Sequence, residues 1–347
     1  MPTRARDPSL KTEVPTMSRS EHPFAPFIRT LGKGRQGSRA LDEQDAYDAM
    51  SMILRDEIAP EQLGAFLMLM RVKEETPDEV AGFVRAVRDT LPIPQIDAPV
   101  ALDWSSYAGK RRQLPWFILS VLALSASGIR VFMHGASGHT AHRIYTSDAL
   151  TALGIAPATS IEHAVQQLNE RDFSYLDLQH LCPVLHRIMA LKPLLGLRSP
   201  VHTVARMLNP FAAPHMMQGI FHPGYLAIHQ QAGVKLNQPH LAVIKGEGGE
   251  IEVNPDTPSK VFYAHAGVPN EDEWPPMFSR RHVKPEQLDI QLLASVWRGE
   301  ASHEYGEAAV ISTLALTLHM MNKARDKNSA MDMARALWAD RPRDWIA

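Results

Sequence analysis

Lys110, Arg111 and Arg112 stand side by side in the run Ser105-Ser106-Tyr107-Ala108-Gly109-Lys110-Arg111-Arg112-Gln113, with the ring of Tyr107 just upstream. Formal net charge is −2, so no global field draws this chain to nucleic acid or an anionic membrane, and any such attraction has to come from a local patch of this kind. Lys33, Arg35 and Arg39 form a second patch, and Arg280, Arg281, His282 and Lys284 a third. Clusters of this size are ordinarily solvated loops or helix ends. Lys245-Gly246-Glu247-Gly248-Gly249-Glu250-Ile251-Glu252 sets three carboxylates on a glycine-rich turn. It lacks the third glycine of a dinucleotide fingerprint and carries acid where phosphate would sit, so it reads as a tight turn. There is no G-x-S-x-G elbow, and the 16 histidines form no H-x-x-x-H or H-E-x-x-H pattern. His139 and His142 fall three apart on a loop, and no zinc is expected.

These residues need a scaffold, and 347 residues supply one large domain or two closely packed ones. Apolar residues at 45% with charged residues at 21% indicate a folded globular protein. The longest apolar stretch, 116–129, is broken by Ser120, Ser125 and Ser127 and is too short to span a bilayer, so a buried helix is expected and no membrane association. Cys182 is the single cysteine, which excludes an internal disulfide and suits a reducing, cytoplasmic setting. Residues 1–23 hold no apolar core of a secretory signal and are expected to form a disordered tail.

Residues 24–91 show helical patterning. Leu63, Phe66, Leu67 and Met70 share one face of a helix beginning near Pro60, and Thr76-Pro77-Asp78-Glu79 is a helix start with N-cap, first-turn proline and acid. Leu91-Pro92-Ile93-Pro94 marks the boundary to a second domain, 92–347. There, 100–104, 115–127 and 129–133 read as strand, helix, strand, a βαβ unit of a parallel sheet. Strands are further expected at 173–178 and 241–245, with helices at 147–153, 285–298 and 305–323. The fold class is therefore α/β, with an N-terminal helical bundle followed by a larger domain on a mostly parallel central sheet.

A helical domain leading into a βαβ unit that ends in His134-Gly135, then Ser147-Asp148-Ala149-Leu150 and Gly154-Ile155, resembles the anthranilate phosphoribosyltransferase family. The resemblance runs nearly the whole chain from Phe24. Leu195-Gly196-Leu197-Arg198-Ser199 through Leu208-Asn209-Pro210 is similar to that family's L-G-x-R-T…N-P hinge segment. The family pattern implies a GTGGD loop that wraps the pyrophosphate of phosphoribosyl pyrophosphate with backbone N–H groups, and Ser105-Ser106-Tyr107-Ala108-Gly109 stands there instead. The N-x-S-T segment that follows becomes Pro115-Trp116-Phe117-Ile118, and the Asp-Glu pair that holds magnesium becomes Glu250-Ile251. Lys192 occupies the place of the arginine that meets the anthranilate carboxylate, Met133 replaces the lysine before His134, and the hinge's asparagine and glycine-proline become His202 and Ala205-Arg206.

These departures resemble the YbiB-type paralogues of the family, which carry a basic S-Y-x-G-x-R-x-Q run at that loop. The resemblance implies a homodimer built on 24–91, a degenerate donor site, and nucleic-acid binding in the cleft through Tyr107 as a stacking surface with Lys110, Arg111, Arg112, His134, Lys192, Arg198 and Arg206. No cofactor is expected and no catalytic residue is named. The alternative is a pentosyl transferase that uses phosphoribosyl pyrophosphate and an unidentified acceptor; only that reading calls for magnesium, with Glu247 and Glu250 as its candidate ligands. His134, standing alone, is expected to bond backbone at a turn.

Overall fold

The computed structural model describes residues 21–138 and 140–346. Most of the expected tail, 1–20, and His139 lie outside the described residues. The chain opens with four helices, α1 (Ala25–Gly32), α2 (Glu43–Leu54), α3 (Pro60–Lys73) and α4 (Pro77–Arg88). α4 starts where its sequence signals it: Thr76 Oγ1 accepts from Glu79 N at 3.3 Å and Glu79 Oε2 accepts from Thr76 N at 2.8 Å, a reciprocal cap. Glu79 is buried and also takes Lys73 Nζ at 2.6 Å and Leu41 N at 2.9 Å, tying α3, α4 and the loop before α2 to one carboxylate. α2 and α4 meet at Gly82, where an added Cβ would lie 2.3 Å from Glu43 O.

The second part runs β1 (Leu102–Ser106), α5 (Phe117–Ala126), β2 (Val131–Gly135), α6 (Thr146–Ala152), α7 (Ile161–Arg171), β3 (Phe173–Asp177), and the short helices α8 (Leu178–Leu181), α9 (Pro183–Met189), α10 (Lys192–Leu195) and α11 (Val201–Arg206). It continues with β4 (His215–Ile220), α12 (Tyr225–Lys235), β5 (His240–Lys245), β6 (Ser259–His265), β7 (Val268–Trp274), α13 (Leu292–Arg298), α14 (Glu304–Met320) and α15 (Lys327–Ala339). The seven strands form one sheet in the order β3-β2-β1-β4-β5-β6-β7, the first five parallel and the last two antiparallel. The expected architecture, a helical bundle with a larger α/β domain on a mostly parallel sheet, is what the chain adopts.

α5 is apolar on every side because it is buried on every side, packed against α14. One core gathers α5, α13, α14 and α15 on one face of the sheet. A second joins Phe66, Phe83 and Val87 of the bundle to Tyr107, Phe132 and Val204 of the α/β part, so the two parts share a continuous interior. Phe66, Leu67 and Met70 are buried inside that core, and Leu63 of the same helix face packs against it. One expected helix is corrected: of 285–298 only Leu292–Arg298 is helical.

Chain order reverses between β1 and β4, the one moving outward through β2 and β3, the other through β5. In an open parallel sheet that reversal opens a crevice at the carboxyl ends of the two strands. The loops after Ser106, Gly135, Ile220 and Lys245 all emerge at this end.

Candidate functional site

Beyond β1 the chain turns at Gly109, whose φ of +67° suits a residue without a side chain, and then bridges antiparallel to Ile144 through Lys110. The turn directs two successive amides inward. Ala108 N and Gly109 N both donate to Glu250 Oε1 at 2.6 Å, and Ser106 Oγ donates to Glu250 Oε2 at 2.8 Å. Paired N–H groups of this kind form a concave anion cradle. Its occupant here is the chain's own carboxylate. Burial pushes the Glu250 carboxyl above its ordinary range, against the pull of these hydrogen bonds and of Arg206.

Glycines let the Glu250 loop come this close. A Cβ at Gly246 would lie 1.6 Å from Glu250 O, and one at Gly219 2.4 Å from Glu250 C. Gly248 and Gly249 complete the tight turn at φ +71° and +100°. Both Glu250 oxygens thus accept from donors of the chain itself, so the carboxylate named with Glu247 as a magnesium candidate is already engaged. Among the described residues no group of three or more His, Cys, Asp or Glu is arranged to hold a metal.

The basic run divides. Lys110 is buried, its Nζ 2.6 Å from Glu252 Oε1 and 3.3 Å from Glu247 Oε2. The attraction of these carboxylates raises the ammonium above its ordinary range although burial opposes it. Lys110 thus serves the interior, a correction to its expected place as an open phosphate contact. Arg111 and Arg112 are exposed as expected.

Tyr107 is corrected too: its ring is fully buried and presents no face to a base. Its Oη and His134 Nδ1 share a hydrogen bond of 2.7 Å, and His134 Nε2 lies 3.4 Å from Asp103 Oδ2. His134 is therefore a buried link in a side-chain chain, where a backbone-bonded turn residue was expected. The Arg206 guanidinium stands 5.7 Å from the centre of the Tyr107 ring and donates to His202 O at 2.6 Å and Gly219 O at 3.3 Å. Burial lowers Arg206 to about 10, with Glu250 partly restoring it. Arg206 is a buried brace beneath the crevice.

Above it the remaining cations converge. Burial and the charges of Arg143 and Arg71 both lower Arg198, and Lys192 is lowered by burial, Arg198 and Arg143. Arg143 Nη1 donates to Ala108 O at 2.9 Å and Gly109 O at 3.1 Å, holding the outer side of the cradle loop, while its buried Nε has no hydrogen-bond partner. Among the described residues Arg71, Arg143 and Arg198 make no salt bridge to a carboxylate. Arg71 Nη1 reaches Tyr225 Oη at 3.5 Å, and that hydroxyl donates to Glu75 Oε2 at 2.9 Å. Arg71, Arg198, His202, Arg206, Phe221 and Tyr225 help to line a cavity of about 110 Å³ between the bundle and the sheet.

Sequence reasoning named Lys192, Arg198 and Arg206 but missed Arg71 and Arg143. Arg71 is only a basic residue in the last turn of α3, and Arg143 acquires its position from the Lys110–Ile144 bridge, which no local pattern announces. Two members of the third basic patch meet carboxylates: His282 lies 2.7 Å from Asp256 and 3.0 Å from Glu304, and Arg280 lies 3.3 Å from Glu304.

Residues 25–91 match the helical bundle domain of a glycosyl transferase family, and residues 118–340 match its a/b domain. The chain is 27% identical over 236 residues to the Escherichia coli (strain K12) protein YbiB, covering 67% of this chain and 73% of the other. It is 28% identical over 231 residues to the anthranilate phosphoribosyltransferase of Caldivirga maquilingensis, covering 66% of each. The crystal structure of anthranilate phosphoribosyltransferase from Thermus thermophilus superposes with a TM-score of 0.76 at 21% identity, covering 90% of this chain and 94% of that one.

Proposed function

The chain belongs to this glycosyl transferase family, and from that premise we propose that it binds nucleic acid in the crevice and transfers no phosphoribose to anthranilate. The observation that carries the reading is the Glu250 carboxylate in the cradle of Ala108 N and Gly109 N. A donor's phosphates would need those same amides. A resident carboxylate both occupies them and repels a second anion, while Pro115-Trp116-Phe117-Ile118 offers no side-chain hydroxyl or amide in compensation. Magnesium, which the family pattern implies, does not fit: Glu250 is turned into the cradle, and Glu247 and Glu252 are engaged by Lys110. A transferase acting on another acceptor would first have to expel Glu250.

The cations on the outer side favour a polyanion. Arg71, Arg143, Lys192 and Arg198 repel one another across a partly desolvated opening, and a phosphodiester backbone would relieve that repulsion. Exposed Arg111 and Arg112 extend the same charge along the loop. Fluorescence anisotropy with a labelled oligonucleotide at two salt concentrations tests the reading. Affinity should fall steeply with salt, and Arg71→Ala with Arg198→Ala should reduce the salt slope by roughly 0.7 for each single-strand phosphate that is no longer neutralised. Absence of salt-sensitive binding, or turnover of anthranilate with phosphoribosyl pyrophosphate and magnesium, would overturn it.

A further inference from the structure

Phe221 follows directly on the last residue of β4, at the carboxyl end of the sheet, with a residue exposure of 51%. Its ring neighbour is His222, also exposed, edge-on at 4.9 Å. A single exposed ring is ordinary on a protein surface, and this one is distinguished by its place. It stands on the rim shared by two cavities. One is the basic cavity of Arg71, Arg198 and Arg206; the other, of about 520 Å³, lies past the end of β5 and is lined in part by Lys110, Lys245, Glu247, Glu252 and Lys260.

Lys245 and Lys260 are exposed and, among the described residues, make no salt bridge to a carboxylate. In this second cavity Lys110 stands against both Glu247 and Glu252, and the exposed Lys245 and Lys260, the latter opposite Glu273 on β7, turn the balance of the lining positive. An exposed ring with cations on both sides matches the repeat of an unpaired strand, in which base faces alternate with phosphates. A duplex offers no such face, because each base is covered by its neighbours.

Resting on the nucleic-acid reading above, we propose that Phe221 is a stacking platform for an unpaired base, with the flanking phosphates received by Arg71 and Arg198 on one side and Lys245 and Lys260 on the other. The ligand class is therefore single-stranded nucleic acid, and the larger cavity takes the nucleotide that follows the stacked base. Phe221 supplies the ring function that the buried Tyr107 cannot.

The test uses the full chain, a labelled oligothymidylate, the same strand with abasic residues, and a matched duplex. Phe221→Ala should weaken single-strand binding by roughly five- to a hundredfold, as expected for loss of one stacked base. Duplex affinity, the salt slope and the melting temperature should stay as they are, and Phe221→Trp should restore or exceed the original single-strand affinity. Wild type should prefer the strand with bases over the abasic strand, and Phe221→Ala should lose most of that preference. Salt-sensitive binding that is indifferent to Phe221→Ala, or an equal loss for strand and duplex, overturns the platform and leaves the nucleic-acid reading standing. No binding of any oligonucleotide by the wild type overturns both.

Discussion

Lys110 Nζ and Glu252 Oε1 lie 2.6 Å apart with both side chains buried, and the other oxygen of that carboxylate, Oε2, accepts from Phe117 N at 3.0 Å. One ion pair thus joins the loop after β1, the start of α5 and the segment beyond the Glu250 turn. Removing one member leaves a buried charge uncompensated. Lys110→Ala should therefore cost about 3–5 kcal/mol, while the joint replacement Lys110→Met with Glu252→Gln, which keeps an acceptor for Phe117 N, should recover most of it. Chemical denaturation of the three variants checks this, and equal stability of the single and double variants would refute it. Arg111→Ala with Arg112→Ala should leave stability within about 0.5 kcal/mol, since exposed residues away from such features contribute little.

Glu250 makes a second prediction. Truncation to Ala empties the cradle and orphans two buried amides, so stability should fall by about 2–5 kcal/mol. Formate or phosphate should then raise the melting temperature of Glu250→Ala by more than that of the wild type, whose cradle is already filled. Identical salt responses of the two proteins would count against an anion cradle.

The pH dependence of the same group has a definite sign. Burial raises the folded Glu250 carboxyl above its ordinary value of 4.5, so between that value and its folded one the folded state holds the proton more tightly. Its contribution to stability is then largest below pH 4.5 and declines as pH rises through the window. Glu250→Gln should lessen that decline in denaturation curves taken at successive pH values.

His229 acts in the opposite direction. It is fully buried, lowered to about 3 by burial and by Arg206, and its Nδ1 lies 2.6 Å from Gln218 Oε1, which calls for the neutral ring with its proton on Nδ1. A depressed group stabilises above its unfolded value and loses that contribution as pH falls, here from 6.5 towards 3. The full loss is on the order of 5 kcal/mol. His229→Gln should flatten the acid limb between pH 6.5 and 4, and an unaltered limb would show that His229 does not carry it.

At Gly82 the prediction concerns the bundle. A methyl group there meets Glu43 O at 2.3 Å and Ala46 Cβ at 2.8 Å, so Gly82→Ala should push α2 from α4 and lower the melting temperature despite alanine's better helix propensity. A rise in melting temperature would contradict the close approach.

Much of the scaffold could be read from residue patterns because its signals are local. The unit β1–α5–β2 carries its own hydrophobic runs, and Thr76 and Glu79 cap α4 by direct neighbourhood. The hairpin of β6 and β7 went unread: it turns at Ala266 and Gly267 with positive φ rather than at an Asn-Gly, and β7 is a mostly exposed edge bearing Glu271, Asp272 and Glu273. Lys110 was placed at the right end of the sheet, yet its burial depends on Glu252, 142 residues away. Tyr107 was misread for a similar reason, since its partner His134 lies on the next strand and its cation Arg206 on α11. Charge partners across a sheet leave no trace in spacing.

A carboxylate tethered inside its own cradle acts as a ligand at fixed, high effective concentration, independent of dilution and of supply. The order of the loop after β1 is then a constant of the fold rather than a response to occupancy. Its signature is kinetic: the amide hydrogens of Ala108 and Gly109 should exchange with solvent as slowly as those of the central strands, in the protein alone and with nothing added.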